Sequence, residues 1–349
     1  MIDYLILKSY TRIKEERTLY AFYHLLKGKR SIQTVQDAHL YDLTNYYGIY
    51  KELSLFEYKE TIKSLENRKL ISINKKRSTL ILTNKGKQYI NESSYKNIEF
   101  KGLETHSLTK VFYNRLLLFI QVWTNSAKGC NNYIPVIDDF ETEIFIKKLY
   151  LADINVDFEK LYKEFDDILK KLPEHYVLIF VERLTSYNQY GLSIAQLAQK
   201  NEVDKHTIQL IITFVTHQII NEVKKKPIKF QILFELLKDQ MTMTTLNDST
   251  TKTYHLFNQN KSLQEIAHIR KLKLNTIYDH IIEIALFDPN FDISLFVTQS
   301  VYDDIFNYIN HNQTYKLKDI KKSIDEEISY FQIRLVLSAL YSKKEGEIN

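Results

Sequence analysis

The chain has 349 residues, 44% of them hydrophobic and 26% charged, enough apolar material for two or three packed units. Only 7 Gly and 4 Pro are present, too few for the turns of a sheet-rich protein, so the expected class is mainly α. A single cysteine, Cys130, excludes a disulfide framework or a cysteine-rich zinc site within the chain, and the net charge of +5 is only mildly basic.

The opening, from Met1 to Thr18, is briefly apolar but has neither the basic start nor the long apolar stretch of a secretion signal. The longest apolar runs, Leu116 to Ile120 and Ile208 to Val215, are too short to span a bilayer, and a cytoplasmic protein is expected. Leu19, Phe22, Tyr23 and Leu26 then recur at helical spacing and are closed by Gly28 as a C-cap. Gln33 to Leu43 is a second helical stretch. Ser54 with Glu57 has the form of a capping box and opens a helix over 55–69, with Tyr58, Ile62 and Leu65 on one face. The period then changes to that of strands, 70–74 and 79–83, around the polar turn Lys75-Lys76-Arg77-Ser78, before Asn84 restarts a helix. This is the order of a winged helix-turn-helix, expected over 1–94.

From Arg68 to Ile90 there are seven basic residues and no acidic one, so the rest of the chain carries 5 − 7 = −2. Positive charge gathered in one place is the footprint of a phosphate-facing surface, and Lys75, Lys76, Arg77 and Lys85 are its candidate contacts.

Residues 95–182 read as a helical connector, with amphipathic helices over 108–122 and 140–151 and a stripe from Phe158 to Leu172 ended by Pro173. Two further helix-turn-helix modules follow, within 183–226 and within a C-terminal domain over 227–349. Ala198 is followed by Val203, Thr207, Ile208 and Ile211. Ala267 is followed by Leu272, Thr276, Ile277 and His280 at the same offsets of five, nine, ten and thirteen. A small residue where two helices cross and an apolar residue in the turn are what this motif requires. Such a unit lays its second helix in the major groove with its first residues toward the bases. The candidates on the second helix of the last module are Asn275, Thr276, Tyr278 and Asp279, with Lys271 and Lys273 beside the phosphates. In the Leu192 module they are Asp204, Lys205, His206 and Gln209. His280 is expected in the core. Exposed polar stretches at Glu92–Ser94 and Lys224–Lys226 are the expected protease-sensitive links.

No phosphate loop, dinucleotide fingerprint, HExxH or nucleophile elbow occurs, so neither catalysis, a cofactor nor a metal is expected. Leu26-Lys27-Gly28-Lys29-Arg30-Ser31 and Gln33 to Ala38 resemble the start of the YpbB family of bacterial helix-turn-helix proteins. Ile266-Ala267, Arg270, Leu272, Thr276-Ile277 and His280, then 316–321 and 326–335, are similar to that family's helicase-associated module, which also ends some RecQ-type helicases. Lys271 departs from the glycine more usual in that turn. The resemblance implies work on DNA beside a RecQ-type helicase, in repair or recombination. A transcriptional regulator and a protein-interaction scaffold without DNA contact are the alternative readings.

Overall fold

The computed structural model describes residues 1–130, 132–152, 157–241, 246–288 and 290–346, the last six by their backbone alone. These residues form eighteen α-helices, a few one-turn 3-10 segments and one two-stranded sheet. The protein is mainly α, as its Gly and Pro scarcity implies.

The N-terminal elements are α1 (Ile2–Ile13), α2 (Ala21–Leu26), α3 (Ile32–Leu40), α4 (Leu55–Asn67), β1 (Ile71–Asn74), β2 (Thr79–Leu82) and α5 (Asn84–Glu92). Ser54 caps α4 as anticipated: its Oγ accepts the Glu57 N–H at 3.1 Å while the Glu57 carboxylate accepts the Ser54 N–H at 3.0 Å. Tyr58, Ile62 and Leu65 bury one side of α4, and the Tyr58 hydroxyl donates to the Leu19 carbonyl at 2.8 Å. The strands pair antiparallel, with Ile71 opposite Leu82 and Asn74 opposite Thr79. Gly28 sits at φ +64°, the left-handed conformation of a helix-ending residue. The expected brief apolar opening is in fact α1, a core helix with Leu5, Ile6 and Leu7 buried, packed against β2 and α5.

Next come α6 (Gly102–Ser126), α7 (Phe140–Leu151), α8 (Phe158–Leu169), α9 (Glu174–Val181), α10 (Ile194–Lys200), α11 (Lys205–Lys225) and α12 (Gln231–Glu235). The axis of this part is α11, which touches α1, α6, α8, α9, α10 and α12. Its buried residues run around the whole cylinder, from Ile208, Leu210 and Ile211 to Val215, Ile219 and Val223. A helix apolar on all sides must be enclosed. Consequently one continuous core extends from Met1 to Leu237. The boundaries expected at 94/95, 182/183 and 226/227 fall inside it, and Lys224 and Lys225 close α11 rather than mark a linker. Two polar ties reinforce the far end. Glu164 accepts the N–H groups of Ile232 and Leu233 at 3.1 and 3.0 Å, and Arg115 grips Asp239 in a fork at 2.7 and 2.8 Å.

A second core is built from α13 (Asp248–Phe257), α14 (Leu263–Arg270), α15 (Leu274–Phe287), α16 (Gln299–Asn312), α17 (Leu317–Ser323) and α18 (Tyr330–Gly346). Ile266, Ile277, Ile281, Ile305, Ile320 and Ile333 are its fully buried centre. The two cores meet where α3 packs on α15 and α18. Gln36 of α3 donates to the Arg334 carbonyl at 2.8 Å and to the Ser338 hydroxyl at 3.0 Å, while His39 stands edge-on to Phe287 with ring centroids 5.8 Å apart. No helix among the described residues is long and apolar enough to cross a membrane.

Candidate nucleic-acid interface

The two modules with matching offsets have matching turns. The Val203 N–H donates to the Ala198 carbonyl at 3.1 Å, and the Leu272 N–H donates to the Ala267 carbonyl at 3.0 Å. Each turn holds one non-glycine residue in the left-handed region, Glu202 at φ 53° and Lys271 at φ 52°. Lys271 therefore adopts the conformation that glycine would take, and the turn keeps its shape without it. Capping boxes, Ser193 with Gln196 and Ser262 with Glu265, open the first helix of each module.

What each second helix offers differs from expectation. In α11 the candidates Lys205 and His206 are engaged by the N-terminal elements, and Asp204 by its own helix. Asp204 caps its own helix by accepting the Thr207 N–H at 2.8 Å, Lys205 pairs with Glu57 at 2.7 Å, and His206 Nδ1 lies 2.7 Å from the Tyr50 hydroxyl. Together with Ser54, Lys205 holds the Glu57 carboxyl down to about 2. The start of α11 is thus tied to the N-terminal elements through Lys205 and His206, with Asp204 and Lys205 at the surface.

In α15 only the first turn is open. Lys271, Lys273 and Asn275 are exposed, and Thr276 is half-buried. Tyr278 does not stand free as expected: its ring stacks on Phe331 with centroids 4.3 Å apart. Asp279 accepts from Arg334 at 2.6 Å. Tyr278 is covered because α18 packs along α15, Asp279 keeps nearly half of its side chain exposed, and the far end of α15 is packed against α3. His280 fills the core, as anticipated, with Nδ1 2.8 Å from the Thr253 hydroxyl; burial and the nearby Arg270 lower its pKa.

The hairpin presents the opposite picture. Lys75, Lys76 and Arg77 are exposed at its tip, and Lys85 is exposed in the first turn of α5. None of the four enters an ion pair among the described residues. The tip is nevertheless fixed. Asn74 Oδ1 accepts the Arg77 N–H at 3.3 Å, and at the base the Ser78 carbonyl accepts the Leu19 N–H at 2.8 Å. Arg68, by contrast, is engaged at the surface, paired with Asp3 at 2.5 Å and lying over the Tyr89 ring. The positive segment thus divides into a structural arginine and an unpaired basic tip.

One surface is not among the sequence candidates. Phe56, Lys59, Lys63 and Asn67 are spaced along the outer side of α4, opposite Tyr58, Ile62 and Leu65, and all four are exposed, Phe56 by 72%. The signal for it in the sequence is the complement of the buried stripe. Among the described residues no group of His, Cys, Asp and Glu is placed to hold a metal ion.

Comparison with known proteins agrees with this anatomy. A family described as a helix-turn-helix domain matches residues 249–337, nearly the whole second core. Protein YpbB of Bacillus subtilis (strain 168) is 31% identical over 342 residues, covering 96% of both chains. The chain belongs to the YpbB family. Since the likeness runs almost end to end, it takes in both the first core of this YpbB-family protein and the matched domain. No solved structure matches the chain.

Proposed function

We propose that this YpbB-family protein is a cytoplasmic DNA-binding accessory factor, without turnover of its own, that works beside a RecQ-type helicase. The observation that carries the DNA reading is the hairpin tip, where Lys75, Lys76 and Arg77 are exposed and enter no ion pair among the described residues, on a turn closed by Asn74. A cation with no carboxylate partner, carried on a turn whose backbone is held, is suited to replacing counterions at a phosphate backbone. Lys271, Lys273 and Asn275 at the open first turn of α15 supply a second contact of the same kind, where a helix start can approach the duplex. The helicase partnership rests on the resemblance of the second core to the module that ends some RecQ-type helicases. Such a module in a separate chain can serve a helicase that lacks it.

One observation favours a second reading, an interaction scaffold. Both helix-turn-helix units use most of their second helix for internal packing, which is how such units behave when they join protein parts.

Binding of labelled duplexes to the purified chain separates the two. Micromolar or tighter affinity that weakens steeply with salt supports the DNA reading, and no binding at low salt leaves the scaffold. For the partner, the tagged protein is captured from its own cells with and without nuclease. A RecQ-type helicase retained after nuclease supports direct association, and its loss on nuclease treatment contradicts it.

A further inference from the structure

We infer that α4 is the helix that enters the major groove, with Phe56 set against thymine methyl groups. This rests on the DNA reading above and adds to it the element and the base feature that are read.

The other second helices are occupied. The start of α11 is tied to Glu57 and Tyr50, and α15 beyond its first turn packs against α18 and α3, with Asp279 held by Arg334. In contrast, α4 leaves a whole side open. Phe56, Lys59, Glu60, Lys63 and Asn67 follow one another at three, four, seven and eleven residues from Phe56, which places them on one face of a helix. All five are exposed. The opposite side is anchored by Tyr58, Ile62 and Leu65, so this face is presented by a fixed rod. A helix of about 10–12 Å diameter fits a groove about 12 Å wide.

The charge on the same unit selects the occupant. The hairpin that follows α4 directly carries Lys75, Lys76 and Arg77 at its tip, and Lys59 and Lys63 flank the exposed face. Set against Glu60 and Glu66 on the same helix, these two lysines and the three cations of the hairpin that follows complement a duplex, whose two backbones border the groove on both sides. Glu60 lies between the lysines, where a carboxylate can only accept a hydrogen bond. The cytosine amino group is the one base feature in the groove that donates to it without an adenine-type acceptor alongside. Asn67 can pair with adenine edges. Phe56, 72% exposed in the first turn, has no polar group to offer any base. The one apolar feature of the major groove is the thymine methyl.

The test uses the full-length chain with poly(dA-dT) and poly(dA-dU) duplexes, which differ only in that methyl group. Fluorescence anisotropy gives the affinity of each for the wild type, for Phe56→Ala and for the triple variant Lys75→Ala/Lys76→Ala/Arg77→Ala. Burying one methyl group is worth about a fourfold change in affinity. The wild type is expected to prefer the thymine duplex by about fourfold or more. Phe56→Ala, a change at an exposed position, should bring that ratio to one, while the triple variant should weaken both affinities and keep the ratio. A wild type that binds both duplexes equally, or a Phe56→Ala chain that keeps the preference, overturns the Phe56 contact while leaving the DNA reading intact. A wild type that binds neither duplex overturns both.

Discussion

Glu202 and Lys271 occupy the same left-handed position, at φ 53° and 52°, in two turns whose helices otherwise have different fates. The second helix of one turn is the buried axis of the first core, and that of the other keeps its first turn in solvent. A side chain in this conformation costs about 1–2 kcal/mol, while glycine's extra freedom in the unfolded chain costs about 0.5–1 kcal/mol. Lys271→Gly is therefore expected to stabilise the protein by up to about 1 kcal/mol. Urea unfolding checks this; unchanged or lower stability would show that the turn carries no strain. The same variant loses an exposed cation and should bind duplex DNA more weakly.

The single core from Met1 to Leu237 changes what proteolysis should show. A nick at Glu92–Ser94 is expected to leave both pieces associated on gel filtration, because α11 packs against α1 on one side and α6 on the other. Cleavage at Lys224–Lys226 is not expected to be early, since Lys224 and Lys225 lie in the last turn of α11. Separation of a stable fragment ending near residue 94 would contradict the shared core.

Arg334 joins the two cores: it donates to Asp279 on α15 at 2.6 Å and lies 3.4 Å from Gln36 Oε1 on α3. Arg334→Ala removes both interactions and should cost about 1–3 kcal/mol, the range for charged hydrogen bonds in partly buried sites. The expected readout is a lower midpoint in urea unfolding of the full chain. An unchanged midpoint would mean that apolar packing alone holds α3 in place.

Buried histidines set an acid limit. Burial lowers His39 to about 4 and His217 to about 3 in the folded chain, whereas both take up a proton near 6.5 when exposed. The unfolded state thus binds more protons as pH falls through 6.5, and the histidine contribution to stability declines until the folded values are reached. Between pH 7 and pH 5 each such histidine should cost about 2 kcal/mol. Urea unfolding at both values checks this, with His39→Gln expected to fall less than the wild type. An equal fall in the variant would place the sensitivity elsewhere.

Where local chemistry decides a feature, it is legible in the chain. The change of period after Leu70 marks the hairpin, Ser54 with Glu57 marks the start of α4, and the repeated offsets after Ala198 and Ala267 mark two real turns. What stays hidden depends on partners far along the chain. Gln36 meets Arg334 across 298 residues, and nothing near Gln36 announces it. Thr213, Thr216 and His217 look polar but are buried in α11, so its enclosure does not read as a continuous apolar pattern. The brief apolar opening becomes the core helix α1 only through β2 and α5, which lie far along the chain and which nothing within the opening announces. Tyr278 has the spacing of a base-reading residue, and only the packing of Phe331 shows otherwise.

The most direct measurement is the salt dependence of duplex binding by the wild type and by the chain with Lys75, Lys76 and Arg77 all changed to alanine. For every phosphate no longer neutralised, the plot of log affinity against log salt should flatten by about 0.9, or roughly 2 to 3 units for the three side chains. Sequence preference should be unchanged, because backbone contacts position without specifying. The fold should persist, since exposed turn charges contribute within about 0.5 kcal/mol each. A triple variant that is folded and keeps the wild-type slope would remove the hairpin tip from the DNA and contradict the account.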